Sequence, residues 1–325
     1  MKAIVYTKYG SPDVLQLQEV EKPTPGDEEV LVRVHTVSIN AMDWHLLRGK
    51  PLFARPMIGF PKPKNSILGV DVAGRVEAVG KNVTQFQPGD EVFGGIGHGG
   101  FAEYVCVREK ALLLKPVNVS FEAASAVPVA AVTALQALRD KGQIQPGHKV
   151  LINGASGGVG TFAVQLAKAF GAEVTGVCST RNLEVARRIG ADHVIDYTQE
   201  DFTRNGKQYD LIVDIAASRS ISDYKRALSP EGICVIIGFS TMFHMVRSML
   251  LGAWATRTGS KKFVRFVAKL YRKDLVLLKE LLEAGKIVPV IDRRYPLSKL
   301  ADAMRYFGVE HARGKVVITV EHGNI

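Results

Sequence analysis

Apolar and polar residues alternate with a period of two through KAIVYTKYG, EEVLVRVHTVSIN, VAGRVEAVG and FAEYVCV, and Gly, Pro and Asn punctuate the runs. A period of two turns one face of each segment inward, which predicts a mostly antiparallel, partly barrel-like β domain. The pattern changes at Phe121. FEAASAVPVAAVTALQALRD is an apolar helical run, too interrupted by proline and polar ends to span a bilayer. Beyond it, KVLINGASGGVG, AEVTGVCST, HVIDY, YDLIVDIAA and GICVIIGF are short, nearly continuous apolar segments separated by helical stretches such as TFAVQLAKAFG and LEVARRIG. Strand and helix in alternation predict a parallel, doubly wound α/β sheet. After Lys273, DLVLLKELLEAGKI reads as a helix, and the remainder as strand, helix and a last strand, GKVVITV, that returns to the first domain. The boundaries expected are residues 1–123 completed by 288–325 for the β domain, and 124–287 for the doubly wound domain, with an insert at about 241–273.

Composition agrees with two cores: 325 residues exceed the usual single domain, and 46% are hydrophobic. The three cysteines, Cys106, Cys178 and Cys234, are odd in number and lack a Cys-x-x-Cys pair. That usage fits a reducing cytosol. The N-terminal alternation lacks the continuous apolar stretch of a signal peptide. Net charge changes the picture only locally. Of the formal +10, eight charges (Arg247, Arg257, Lys261, Lys262, Arg265, Lys269, Arg272 and Lys273) fall between Phe239 and Lys273 without an acid, leaving the rest nearly balanced.

The clearest chemistry lies at GASGGVG, between the strand KVLI and the helix TFAVQLAKAF. A glycine-rich strand-to-helix turn is the setting of the dinucleotide fingerprint. Gly157 lets a pyrophosphate approach the backbone, Gly160 lets helix and strand pack closely, and the helix N-terminal amides of Gly158 and Val159 supply positive ends. Ser156 adds a hydroxyl. A bare tight turn is the alternative reading. About 20 residues on, an NAD site carries an acid for the ribose 2′-hydroxyl, whereas this strand ends in Ser179, Thr180 and Arg181. Hydroxyl and guanidinium donors in place of an acid predict NADP(H). Tyr197 is either a further phosphate contact or ordinary strand-end packing.

The stretches SINAMDWHLLRG, ILGVDVAGRVEAVGKNV, FQPGDEVFG, GGFAEYV, GASGGVG, GADHVIDY and HARGKVVI together resemble the medium-chain dehydrogenase/reductase superfamily, in its zinc-free quinone oxidoreductase-like branch. The resemblance covers nearly the whole chain. It implies a GroES-like β domain and a Rossmann domain with the cofactor in the cleft, and a homodimer as the common assembly. Zinc-dependent relatives carry a cysteine ligand where Asn40 stands, a His-Glu pair at Val70 and Asp71, and a late cysteine at Val129. Neither thiolate nor imidazole survives at these positions, so no metal site is expected. His45 and His98 read as packing or surface residues, and Asp43 as a tie between loops. By resemblance, Asn40 and Thr133 lie by the nicotinamide, Gly238 and Phe239 pass backbone groups along it, and Arg313, Gly314 and Lys315 close over the cofactor. Without zinc to polarise a carbonyl, hydride delivery suits an acceptor that is already electrophilic, a quinone or an enone or enal. The proton donor is left unassigned, because RPMIGFPKPKNSIL offers no tyrosine. A metal-free NADP-dependent alcohol or aldehyde dehydrogenase is the alternative enzyme.

The insert needs its own reading. At helical spacing Phe263, Phe266, Val267 and Leu270 share a face opposite Lys262, Arg265, Lys269 and Arg272, predicting an amphipathic basic helix. Such a helix lies in an anionic membrane interface, making the protein cytoplasmic with peripheral membrane contact, or serves as a substrate-side lid with solvated charges. A non-catalytic NADPH-binding, RNA-associating protein would use the same fold, but no aromatic-interleaved RNA motif is present and no specific nucleic acid is expected.

Overall fold

A computed structural model describes residues 1–217, 219–237, 260–310 and 312–322. The alternating N-terminal segments form β1 (Lys2–Val5), β2 (Gln16–Glu19), β3 (Glu29–Ser38), β4 (Asp71–Val79), β5 (Glu91–Gly95), β6 (Tyr104–Arg108) and β7 (Leu112–Leu114). The doubly wound part contributes β8 (Lys149–Asn153), β9 (Glu173–Cys178), β10 (His193–Asp196), β11 (Tyr209–Asp214), β12 (Leu228–Ile236) and β13 (Lys262–Arg265). The chain then returns through β14 (Ile291–Pro296) and β15 (Lys315–Thr319) to the first sheet.

In the first unit β14, β15, β3, β4, β5 and β7 run in that order, with β6 paired to β3. β15 joins β3 antiparallel, Val317 opposite Ser38, so the last strand completes the N-terminal sheet as the pattern predicts. Register shifts in β3 keep Val30, Val32, Val34 and Val37 all in the core, where a strict alternation would expose one of them. In the second unit the order is β10-β9-β8-β11-β12-β13, with every pairing parallel. The order reverses between β8 and β11, the switch point outside which such sheets bind ligands.

Two boundaries differ from expectation. The first unit comprises Met1–Ala130, Leu270–Gly285 and Pro289–Ile325, and the second Ala131–Lys269 with Lys286–Val288. The division thus falls after residue 130 rather than 123. The short helix Phe121–Ser125 belongs to the β unit because Thr36 Oγ1 donates to the Phe121 carbonyl at 2.7 Å and the Phe121 ring stacks on His35. The helix Arg272–Glu283 also belongs there: the Arg272 guanidinium donates to the Leu112 carbonyl at 2.5 Å and to Gln85 Oε1 at 2.6 Å.

The predicted amphipathic helix is corrected too. Lys262–Arg265 is the edge strand β13, parallel to β12, with Phe263 packed on the second unit's core. A stripe count at helical spacing ignores backbone demand: β12 presents an unpaired edge, and the aromatic and β-branched pair Phe263–Val264 suits a strand. Farther on, Gln136 holds the Lys269 backbone from both sides, accepting its N–H at 3.1 Å and donating to its carbonyl at 2.7 Å. Residues 241–259 of the insert lie outside the described residues. Among the described residues no helix is long and apolar enough to cross a membrane.

Candidate functional site

The glycine turn follows β8. Gly154 has φ +93°, a left-handed conformation that glycine tolerates, and the Gly158–Ala169 helix begins four residues later. The two diagnostic glycines differ in what surrounds them. A Cβ added at Gly160 would stand 2.0 Å from the Gly154 carbonyl oxygen, so close helix-to-turn packing requires that glycine. A Cβ at Gly157 would meet only the same oxygen, at 3.6 Å, and its φ of −81° suits any residue. Packing therefore leaves the flank of Gly157 open, a cradle at the helix N-terminus where the amides of Gly158 and Val159 have no intrahelical carbonyl to serve.

A residue that the sequence did not single out organises this edge. The Asn182 amide, nearly fully buried, donates to Ser156 Oγ at 3.0 Å and to Ser179 Oγ at 3.2 Å. It joins the turn to the end of β9. Because each serine oxygen accepts from Asn182, its own hydrogen stays available to a ligand, and Asn182 Oδ1 is a buried acceptor with no hydrogen-bond partner in the structure. Arg181 is exposed beside them, and Tyr197, 54% exposed, sits at the end of β10 with its N–H on the Cys178 carbonyl. Beneath the turn, Asn153 Nδ2 donates to Asp214 Oδ1 at 2.7 Å and the buried Tyr224 hydroxyl donates to Asp214 Oδ2. These bonds clamp the ends of β8 and β11 together at the switch point; burial pushes the Asp214 carboxyl above the usual range. Thr133 is buried on the helix Pro128–Leu135 of this unit's N-terminal side. Gly238 and Phe239 lie outside the described residues.

The first unit holds a different constellation. Asn40 caps the helix Ala41–Arg48, and Asp43 reciprocates, accepting from the Asn40 N–H at 2.9 Å and, from the β4 side, the Gly69 N–H at 3.0 Å. Asp43 is thus a tie between loops. The Asn40 amide is fully engaged: Nδ2 donates to Asp71 Oδ2 at 2.8 Å and to the Ser38 carbonyl at 3.2 Å, while Oδ1 accepts from Lys315 Nζ at 2.6 Å. Both its N–H donors are committed inside the protein, so it has none to offer an acceptor carbonyl. Lys315, 3% exposed, also donates to the Ile39 carbonyl at 3.0 Å, and Asp71 accepts from Ser38 Oγ and the Val129 N–H. Burial pushes Asp43 up to about 7 and Asp71 up to about 6, with the Lys315 ammonium opposing both. Burial conversely depresses Lys315, against the pull of Asp71 and Asp43. Arg313 donates its backbone N–H to Asp292, and Gly314 is required by the Val290 carbonyl, which a Cβ would approach to 2.3 Å. Among the described residues no group of three His, Cys, Asp or Glu side chains could hold a metal ion.

Comparison with known proteins gives a consistent picture. Residues 26–117 match the family described as an alcohol dehydrogenase GroES-like domain, and residues 189–318 match a zinc-binding dehydrogenase family. A chloroplastic quinone oxidoreductase of Triphysaria versicolor is 36% identical over 98% of each chain. A chloroplastic NADPH-dependent alkenal/one oxidoreductase of Arabidopsis thaliana is 34% identical over 98% of this chain and 79% of its own length. The solved quinone oxidoreductase of Coxiella burnetii superposes with a TM-score of 0.87 at 29% identity, covering 99% of each chain. With GroES-like and Rossmann architectures each present and similarity along its whole length, this chain belongs to the quinone oxidoreductase-like branch of the medium-chain dehydrogenase/reductase superfamily.

Proposed function

We propose that this chain is a zinc-independent, NADPH-dependent oxidoreductase that delivers hydride to a quinone or to an activated alkene such as an enone or enal. The observation that carries the acceptor class is the Lys315–Asn40–Asp71 network at the positions where zinc-dependent relatives place their ligands. Zinc does not fit there. Asn40 turns N–H hydrogens toward Asp71, Val129 offers only a backbone N–H, and a buried ammonium occupies the amide oxygen. Each hydrogen-bond partner of Asp71 (Ser38, Asn40 and the Val129 N–H) is a donor, and a dication beside Lys315 would be repelled. An acceptor that needs no Lewis acid follows, and the names borne by the relatives, quinone and alkenal/one oxidoreductase, support that class.

The bound nicotinamide supplies the hydride. This chain's residues bind and orient: Gly157 keeps the cradle open, Ser156 and Ser179 offer hydroxyl hydrogens, and Arg181 supplies a cation toward the adenosine end. Asn182 fixes the two serines, and Asp214 holds the turn's root. Asn40, saturated by Ser38, Asp71 and Lys315, is a rigid wall rather than a donor.

Two measurements test the reading. NADPH oxidation, followed by its absorbance against a panel of quinones, enones, enals and simple aldehydes, is expected with the first three classes and to be weakest with unconjugated aldehydes. Oxidation confined to simple aldehydes would instead favour the metal-free alcohol or aldehyde dehydrogenase. Metal analysis of the purified protein is expected to find far less than one zinc per chain, and a stoichiometric content would overturn the zinc-independent assignment.

A further inference from the structure

The end of β9 offers no acid in sequence, yet the fold brings one to it in space. β10 runs parallel beside β9 with Asp196 opposite Cys178, and the Tyr197 N–H on the Cys178 carbonyl fixes that register. The Asp196 carboxylate thereby reaches the hydroxyl stretch itself. Its Oδ2 accepts the Thr180 hydroxyl at 2.5 Å, and its Oδ1 accepts the Thr198 N–H at 3.0 Å and the Thr198 hydroxyl at 2.7 Å. Thr180 has a single O–H, and it is committed to Asp196. Toward a ligand Thr180 therefore presents lone pairs, not a donor, and a 2′-phosphate oxygen placed there meets oxygen lone pairs backed by a carboxylate. A free ribose 2′-hydroxyl meets acceptors instead, the arrangement an NAD site obtains from an acid at the end of its second strand. Asp196 is half-buried and Thr180 exposed, so both are open to a nucleotide.

We propose that Asp196 is a specificity-determining residue which, through Thr180, accepts the 2′-hydroxyl of NADH and opposes the 2′-phosphate of NADPH, so that the site takes both cofactors. The inference rests on the reading of this unit as a nicotinamide dinucleotide site. Ser179, whose hydrogen is available, and Arg181 pull toward the phosphate; Asp196 and Thr180 pull away. Selectivity is the difference between the two pairs, and it lies on two strands rather than one.

The test is the dissociation constant of NADPH and of NADH, by nicotinamide fluorescence, for the intact protein and three variants; binding needs no acceptor. The unaltered protein is expected to bind both. Asp196→Asn keeps an acceptor for Thr180 but removes the charge, and is expected to raise the preference for NADPH about tenfold. Thr180→Val, which removes the lone pairs offered to the 2′-hydroxyl, is expected to weaken NADH severalfold and move the preference the same way. A shift toward NADPH from both variants, with Arg181→Glu moving it the other way, is not explained by a merely disturbed turn. Arg181→Glu weakens NADPH far more than NADH whichever role Asp196 has. If Asp196→Asn and Thr180→Val both leave the preference within about twofold while Arg181→Glu lowers it, the role of Asp196 is overturned and the cofactor reading stands. If neither nucleotide binds the unaltered protein, both readings fall.

Discussion

Replacing Gly157 with Val is expected to raise the dissociation constant of NADPH about 100-fold while leaving the unfolding midpoint unchanged, and replacing Gly160 with Ala to do the reverse. The reason is what each Cβ would meet. At Gly157 the backbone already has a conformation open to any residue, and the nearest protein atom lies 3.6 Å away, so a side chain is accommodated by the fold and fills only the space a phosphate would take. At Gly160 a Cβ would be driven to 2.0 Å from the Gly154 oxygen. The helix must then shift away from the turn, a loss of about 3 kcal/mol for overpacking at a rigid backbone contact. Urea unfolding of both variants and NADPH titration by fluorescence separate the effects. Equal destabilisation by the two substitutions, with NADPH binding unaltered at Gly157→Val, would mean that the turn is structural only.

The same turn marks how far sequence carries. The fold as a strand–helix alternation with a returning last strand is legible in the sequence, and so is the close helix-to-turn packing that requires Gly160. These are local signals: a turn's chemistry is written within its own ten residues. Asn182 and Asp196 were not legible, because their partners lie elsewhere. Asn182 bonds to Ser156, 26 positions away, and Asp196 to Thr180, 16 away just past the end of the neighbouring strand. Each looks like an ordinary strand-end or helix-start polar residue until the fold sets it beside its partner. The β13 segment failed for a related reason. Its helical stripe was real in the sequence, but the open edge of β12 competed for the same backbone groups and won. Lys315 was placed by family resemblance as a residue closing over the cofactor, whereas the structure directs its ammonium inward, to Ile39 and Asn40.

That inward ammonium leads to the second large effect. Lys315→Met is expected to destabilise the protein by about 3 kcal/mol at pH 8, because a buried Asp71 carboxylate is left without its cation. The loss is at the lower end for a broken buried pair, since removing Lys315 also removes the penalty of burying the ammonium, the same burial that depresses its pKa. The pH dependence follows in sign from Asp71. Its folded-state pKa, already raised from 3.8 to about 6 with Lys315 opposing the rise, moves higher in the variant. A carboxyl whose folded pKa lies above its unfolded one contributes stability that is full below the unfolded value and lost as pH rises through the folded value. The variant's deficit is therefore largest near pH 8 and shrinks as the pH falls toward about 6, because Asp71 becomes neutral in the variant at a higher pH than in the unaltered protein, and below about 6 it is neutral in both. Adding Asp71→Asn removes the stranded charge, so the double variant should recover most of the loss at pH 8, giving a coupling of about 2 kcal/mol. Chemical denaturation of the four proteins at pH 5.5 and pH 8, analysed as a double-mutant cycle at each pH, measures it. A deficit that is independent of pH and not relieved by Asp71→Asn would assign Lys315 to packing of its aliphatic stem alone, and would remove the cation from the support for the proposed zinc independence.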